Sequence, residues 1–124
     1  MLVSILIPAF NRESHLEACV RSALAQTYKN IEIIIVDNCS TDKTWEICKK
    51  LVNLDKRIQI YKNSSNIGPI RNWRKCLDIS SGEYIKVLFS DDLLDPYCVE
   101  KMVSMFSDKV GFVFSKAKIF KNNP

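Results

Sequence analysis

Glycine and histidine are scarce in this chain: there are three glycines (Gly68, Gly82 and Gly111) and one histidine, His15, in 124 residues. No G-x-G-x-x-G follows the first apolar run, where Pro8-Ala9-Phe10-Asn11-Arg12 stands instead. A dinucleotide-binding oxidoreductase needs that fingerprint to bring backbone against a pyrophosphate, and a nucleotidyltransferase needs a glycine-rich basic loop there, so both are disfavoured. The five cysteines (Cys19, Cys39, Cys48, Cys76 and Cys98) include no C-x-x-C pair. With a single histidine they cannot supply the closely spaced ligands of a zinc cluster, and they read as reduced thiols of a cytosolic protein. No histidine partner marks any of them as a nucleophile. No run approaches the roughly 20 apolar residues of a membrane span. Leu2 to Phe10 lacks the basic leader of a signal peptide. The net charge of +4 is spread over single and paired lysines and arginines. That is no footprint for nucleic acid, although it suits anionic nucleotide or phospholipid partners.

What remains is an ordinary globular composition, 47% hydrophobic and 26% charged, enough for one domain with a sizeable core. Leu2 to Ile7 reads as a buried strand ended by Pro8. Arg12 to Gln26 has helical spacing, with Asn11 as N-cap. Strand two is Ile31 to Val36, and a helix from Thr41 to Leu51 follows with Ser40 or Thr41 as cap. Arg57 to Tyr61 is a third strand, and the turn formers from Asn63 to Pro69 make a loop. A third helix spans Pro69 to Ser80, with Gly82 as the break after it. The fourth strand is Tyr84 to Phe89, and Asp95-Pro96 opens a fourth helix reaching Phe106. Val110 to Phe114 is expected to form a fifth strand. Strand–helix alternation without hairpin signals predicts an α/β, doubly wound, mostly parallel sheet.

Two strand runs end in acid: Ile33-Ile34-Ile35-Val36 in Asp37, and Tyr84 to Phe89 in Ser90-Asp91-Asp92. In a parallel sheet the carboxyl ends share one edge, so these aspartates are expected to converge on one crevice. There one can accept hydrogen bonds from a nucleotide while others hold a hard divalent cation beside its phosphates. A response-regulator reading would need the acid on strand three, which ends in Tyr61-Lys62.

Val3 to Arg12, Ile31 to Asp42, Asn66-Ile67-Gly68, and Gly82-Glu83-Tyr84-Ile85 leading to Ser90-Asp91-Asp92 together resemble family 2 glycosyltransferases of the GT-A fold, from the N-terminus to about residue 100. The resemblance implies a transferase moving a sugar from a nucleotide diphosphate donor, UDP most often, to an acceptor hydroxyl, with Mn²⁺ or Mg²⁺ and with inversion. Pro8, Ala9 and Phe10 would line the base pocket, and Asp37 would accept the uracil N–H. Asn66 and Gly68 would shape the loop facing the nucleotide, and Arg71 would meet the base or diphosphate. Asp91 would contact ribose and metal, and Asp92 would be the direct metal ligand. The usual pattern has a further aspartate two places before Asp91, where this chain has Phe89. Arg12 and His15 read as surface residues outside the site, and nothing is assigned to Arg74.

The same resemblance divides the chain into a donor-binding portion, 1–100, and the start of an acceptor half, 101–124. The general base is expected beyond Pro124, since neither Glu100 nor Asp108 stands convincingly in that role, and the tail Lys121 to Pro124 reads as an interrupted chain. An apolar face left open would then favour a homodimer. The acceptor would be a glycan, a lipid-linked sugar or a protein, in cell-surface polysaccharide synthesis, at a cytoplasmic location reaching the inner face of the membrane. The alternative is a nucleotide-binding module without transfer activity.

Overall fold

A computed structural model of the chain describes residues 1–120; Lys121 to Pro124, the tail named above, lie outside the described residues. Four strands, β1 (Val3–Ala9), β2 (Ile31–Asp37), β3 (Ile58–Lys62) and β4 (Tyr84–Val87), form one sheet in the order β3-β2-β1-β4. All three pairings are parallel, with Ala9 opposite Asp37 and Leu6 opposite Val87. Both central strands are buried along their whole length, which is why they read as unbroken apolar runs rather than alternating ones. Ile5, Ile7, Ile33, Ile34 and Ile35 are sealed from solvent, each contributing about 1.5–3 kcal/mol relative to exposure.

Helices α1 (Leu16–Leu24), α2 (Thr44–Leu51) and α4 (Cys98–Ser104) cover one face, and α3 (Pro69–Asp78) covers the other. Leu16, Cys19, Val20 and Ala23 recur at helical spacing and close the main core against Ile5, Ile7, Ile33 and Ile35. The second core is smaller, built from Leu6, Ile34, Val36 and Cys76. Strand order reverses between β1 and β4, which start out adjacent and lead away into different connections, so the crevice at their carboxyl ends is the switch point of the sheet.

Several expectations are corrected. Helix α1 begins at Leu16 rather than Arg12, and Asn11 does not cap it: Asn11 has a left-handed φ of 50° and its amide reaches another loop. His15 is the capping position of α1, at the carboxyl edge of the sheet, not within a helix remote from the strand ends. Helix α2 begins at Thr44, where Asp42 rather than Ser40 or Thr41 accepts the first free N–H. Strand β4 stops at Val87, because Phe89 to Asp92 folds into a turn closed by Asp92 N–H donating to the Phe89 carbonyl. Val110 to Phe114 forms no strand, since no neighbouring ladder satisfies its backbone; Phe112 and Phe114 stay exposed.

Polar groups also sit on the α3 face. Glu32 is buried at the amino end of β2 and accepts hydrogen bonds from Ser4, Ser81 and Gln59. Gly82 N–H donates to Ser4 Oγ at 2.8 Å, and a Cβ on Gly82 would lie 2.6 Å from Ser4 N, so only glycine fits there. Burial works against the charged form of Glu32, yet the bonds from Ser4, Ser81 and Gln59 outweigh it and hold its carboxyl below the usual value. A depressed folded-state pKa stabilises the fold above the unfolded pKa, and that stability is lost as pH falls through the folded value. Glu32→Gln should therefore cost about 2 kcal/mol at neutral pH. Thermal unfolding from pH 7 to pH 3 should show the gap to the native chain closing as acid protonates Glu32.

Candidate functional site

The carboxyl edge is assembled by loops that hydrogen-bond to one another. Asn11 Oδ1 accepts from Thr41 N–H at 2.9 Å, while Asn11 N–H donates to Ser40 Oγ at 2.9 Å. Arg12 N–H donates to Thr44 Oγ1 at 2.8 Å, and Glu13 and Asp42 exchange bonds with the neighbouring loop in the same way. Burial raises the Asp42 carboxyl, but hydrogen bonds from Thr44 and from the Glu13 N–H outweigh that and lower it. The loops after β1 and β2 are thus one unit.

Asn38 joins that unit to the loop before α3. Its Oδ1 accepts from Asn63 Nδ2 and from Ile67 N–H, both at 2.9 Å. Its Nδ2 donates to Asn66 Oδ1 at 2.9 Å and to the Gly68 carbonyl at 3.3 Å. Asn63 is held in turn by Asn72 and by Lys75 Nζ at 2.6 Å, and Asn72 donates to the Val36 carbonyl. No local motif in the sequence announces this buried amide network. Asn38, Asn63 and Asn72 are too far apart to share a local pattern. Gly68 has φ 84°, the left-handed backbone its position requires.

The residues expected at the site fall into two groups. Pro8 and Ala9 are buried in β1, and Phe10 emerges after them with 40% of its surface exposed, available as a ring face. Asn66, Arg71, Asp91 and Asp92 are exposed, and Gly68 is half-buried. Asp37 is wholly buried at the end of β2, with one oxygen accepting from the Ser40 hydroxyl and the other from Ser40 N–H at 3.3 Å. Each oxygen keeps a further acceptor position, but Asp37 has no exposed surface, so a base N–H reaches it only if a covering group moves aside.

The acid turn rests on α1 and α3. Cys19 Sγ donates to the Phe89 carbonyl at 3.4 Å, and the Phe89 ring meets Trp73 with centroids 5.4 Å apart. Burial, then the charges of Asp92 and Asp91, push the Cys19 thiol up to about 12, so it stays protonated and is no nucleophile. Cys48 and Cys76 are likewise raised to about 12, chiefly by burial. Beyond the turn, Leu94 N–H donates to Ser22 Oγ, and the buried Gln26 amide clasps Asp95 and Val99. These bonds fix where the turn stands relative to β1.

Arg12, read from sequence as lying outside the site, is in it: its Nη2 lies 3.7 Å from Asp91 Oδ2. Among the described residues no group of three or more His, Cys, Asp or Glu is arranged to hold a metal ion. Two adjacent carboxylates on an exposed turn still fit Mg²⁺ or Mn²⁺, which often take one or two protein carboxylates and complete their octahedron with phosphate oxygens and water. A groove of about 460 Å³ lies elsewhere, at the amino end of β4 between Val3, Tyr84 and α4. Among the described residues no helix is long and apolar enough to cross a membrane.

Comparison with known proteins agrees with this architecture. The chain is 44% identical over 126 residues to the Escherichia coli UDP-Glc:alpha-D-GlcNAc-diphosphoundecaprenol beta-1,3-glucosyltransferase WfaP, covering 98% of this chain and 48% of that protein. A crystal structure of S. aureus TarS 1-349 matches with a TM-score of 0.77 and 25% identity, over 84% of this chain and 32% of that one. The Pyrobaculum calidifontis mannosyltransferase PcManGT, solved with GDP-Man and Mn²⁺, matches with a TM-score of 0.80 at 19% identity, covering 86% and 32% of the two chains, a likeness of fold. The chain thus spans about half the length of WfaP and a third of the two solved chains. The family model described as Glycosyl transferase family 2 matches residues 4–124, and the chain belongs to that family and has the GT-A fold.

Proposed function

We propose that residues 1–100 form a donor site for a UDP-sugar, with Mn²⁺ or Mg²⁺ held by Asp92 and Asp91, and that residues 101–124 begin the acceptor portion. The observation that carries this reading is the convergence at one sheet edge: Phe10 after β1, the Asn66–Arg71 stretch locked to β2 by Asn38, and the Asp91-Asp92 turn after β4. Phe10 offers its ring to the base, and stacking of that kind is worth about 1–3 kcal/mol. Arg71 in the first turn of α3 can pair with a phosphate through its guanidinium. A divalent ion bound there would neutralise the charge developing on a departing diphosphate.

UDP is the nucleotide favoured, because WfaP, the relative at 44% identity, bears UDP-Glc in its name. By the same likeness the acceptor is a lipid-linked sugar diphosphate, and the product an inverted, β-type linkage. The enzyme would then work in the cytoplasm at the inner face of the membrane, in cell-surface polysaccharide synthesis. Five free cysteines suit that reducing compartment. Ile70, Trp73 and Leu77 of α3, Ile85 and Val87 of β4, and Phe89 in the turn after it form an exposed apolar face suited to a second copy of the chain.

A second reading, nucleotide binding without transfer, is favoured by one observation. Glu100 is tied to Thr27 at the amino end of the sheet, far from the crevice, so it does not serve as the general base.

Calorimetric titration of UDP, with ADP and GDP as controls, tests the donor site. UDP should bind in preference to both and only with Mn²⁺ present. Absence of UDP binding with Mn²⁺ would overturn the proposal.

A further inference from the structure

Among the described residues, Arg12 Nε is the one buried side-chain nitrogen or oxygen without a hydrogen-bond partner. Its main chain is fixed on both sides: its N–H donates to Thr44, and its carbonyl accepts from His15 N–H at 3.0 Å and Leu16 N–H at 2.9 Å. The guanidinium is thereby delivered to the gap between β1 and the acid turn. Its Nε is buried and has no partner, and Nη1 makes only a long, 3.4 Å bond to the Asn11 carbonyl. The remaining Nη2 faces Asp91 at 3.7 Å, close enough for Coulomb attraction but beyond the bidentate geometry of a committed Arg–carboxylate pair. Both side chains are about half exposed, so the attraction is screened and readily exchanged.

We propose that Arg12 is the resident counter-cation of the acid turn: it neutralises Asp91 in the free protein and yields that carboxylate when a divalent ion binds. Two adjacent carboxylates repel unless something positive stands beside them. Among the described residues Arg12 makes the only ion pair with either of them. Binding of the ion and pairing with Arg12 draw on the same oxygen atoms of Asp91, so each weakens the other by the same factor. Metal affinity at this turn is therefore set by competition as well as by the carboxylates.

The inference rests on the donor-site reading, and the test separates the two. Free Mn²⁺ is followed by electron paramagnetic resonance as the native chain, Arg12→Gln, Arg12→Lys and Asp92→Ala are titrated without nucleotide. Arg12→Gln should bind Mn²⁺ about two- to fivefold more tightly, the range of a screened exposed ion pair. Arg12→Lys, which keeps the charge, should stay near the native value. Unchanged or weaker Mn²⁺ binding by a folded Arg12→Gln overturns the inference and leaves the donor site standing. Weaker UDP binding in that variant with no change for Mn²⁺ would instead make Arg12 a phosphate contact. If the native chain binds no Mn²⁺ even with UDP present, the donor-site reading itself fails and the inference falls with it.

Discussion

Asp92→Ala should abolish the metal dependence of UDP binding, lowering affinity in Mn²⁺ about 100-fold, or about 2.7 kcal/mol, while leaving any metal-free binding unchanged. The size follows from how few carboxylates the turn has. Where the usual family pattern carries one more acid, Phe89 instead packs its ring on Trp73, so no third carboxylate can take over. Asp91 already faces Arg12, and among the described residues Asp92 has no ion-pair partner. Asp91→Ala should therefore weaken binding less than Asp92→Ala does. Because Asp92 is exposed and its structural bond is made by backbone N–H, the substitution should move stability by no more than about 0.5 kcal/mol. Calorimetry beside a thermal melt checks both halves. Equal UDP affinity in the two proteins with Mn²⁺ present would remove Asp92 from the metal site.

The same contrast between backbone and side chain explains what was legible in the sequence. Leu2 to Ile7 and Ile31 to Val36 were found because a parallel strand buried on both faces must be apolar throughout, a signal that needs no partner to be seen. The acids after β2 and after β4 are legible for a related reason, since topology alone brings the carboxyl ends of parallel strands to one edge. Strand ends were read less well. Tyr84 to Phe89 is apolar to its last residue except at Lys86, but pairing with β1 ends at Val87 and Phe89 turns away to Trp73. Val110 to Phe114 has strand composition and no ladder beside it, and propensity cannot supply one. Asn11 looked like a cap because caps are local, whereas its amide bonds to Thr41, thirty residues on. Arg12 was set aside for want of any local motif, yet its role depends on Asp91, which only the reversal of strand order brings near.

Asn38→Asp should be the most damaging near-isosteric change in the molecule, for a reason that separates hydrogen bonding from packing. Asn38 is buried and uses all four of its amide's bonding positions: two donated, to Asn66 Oδ1 and the Gly68 carbonyl, and two accepted, from Asn63 and Ile67. A carboxylate of the same shape keeps the accepted bonds but sets an anionic oxygen against two oxygens that had received N–H groups. Two bonds of about 1 kcal/mol each are lost, oxygen is set against oxygen at Asn66 and Gly68, and a charge is buried with no ion-pair partner among the described residues, so a loss of about 3–5 kcal/mol is expected. In a domain of this size that is a fall of at least about 10 °C in Tm. The site should suffer before the fold does, because Asn38 ties Asn66 and Gly68, just before Arg71, to the end of β2, while Asn72 still anchors α3 to the Val36 carbonyl. At a temperature where the variant remains folded by circular dichroism, UDP binding should already be weakened at least tenfold. Asn38→Ala, which removes the amide without adding charge, should fall between the two proteins in stability. If Asn38→Asp melts with the native chain, the network does not hold the loop, and Asn66 and Gly68 are positioned by some other contact.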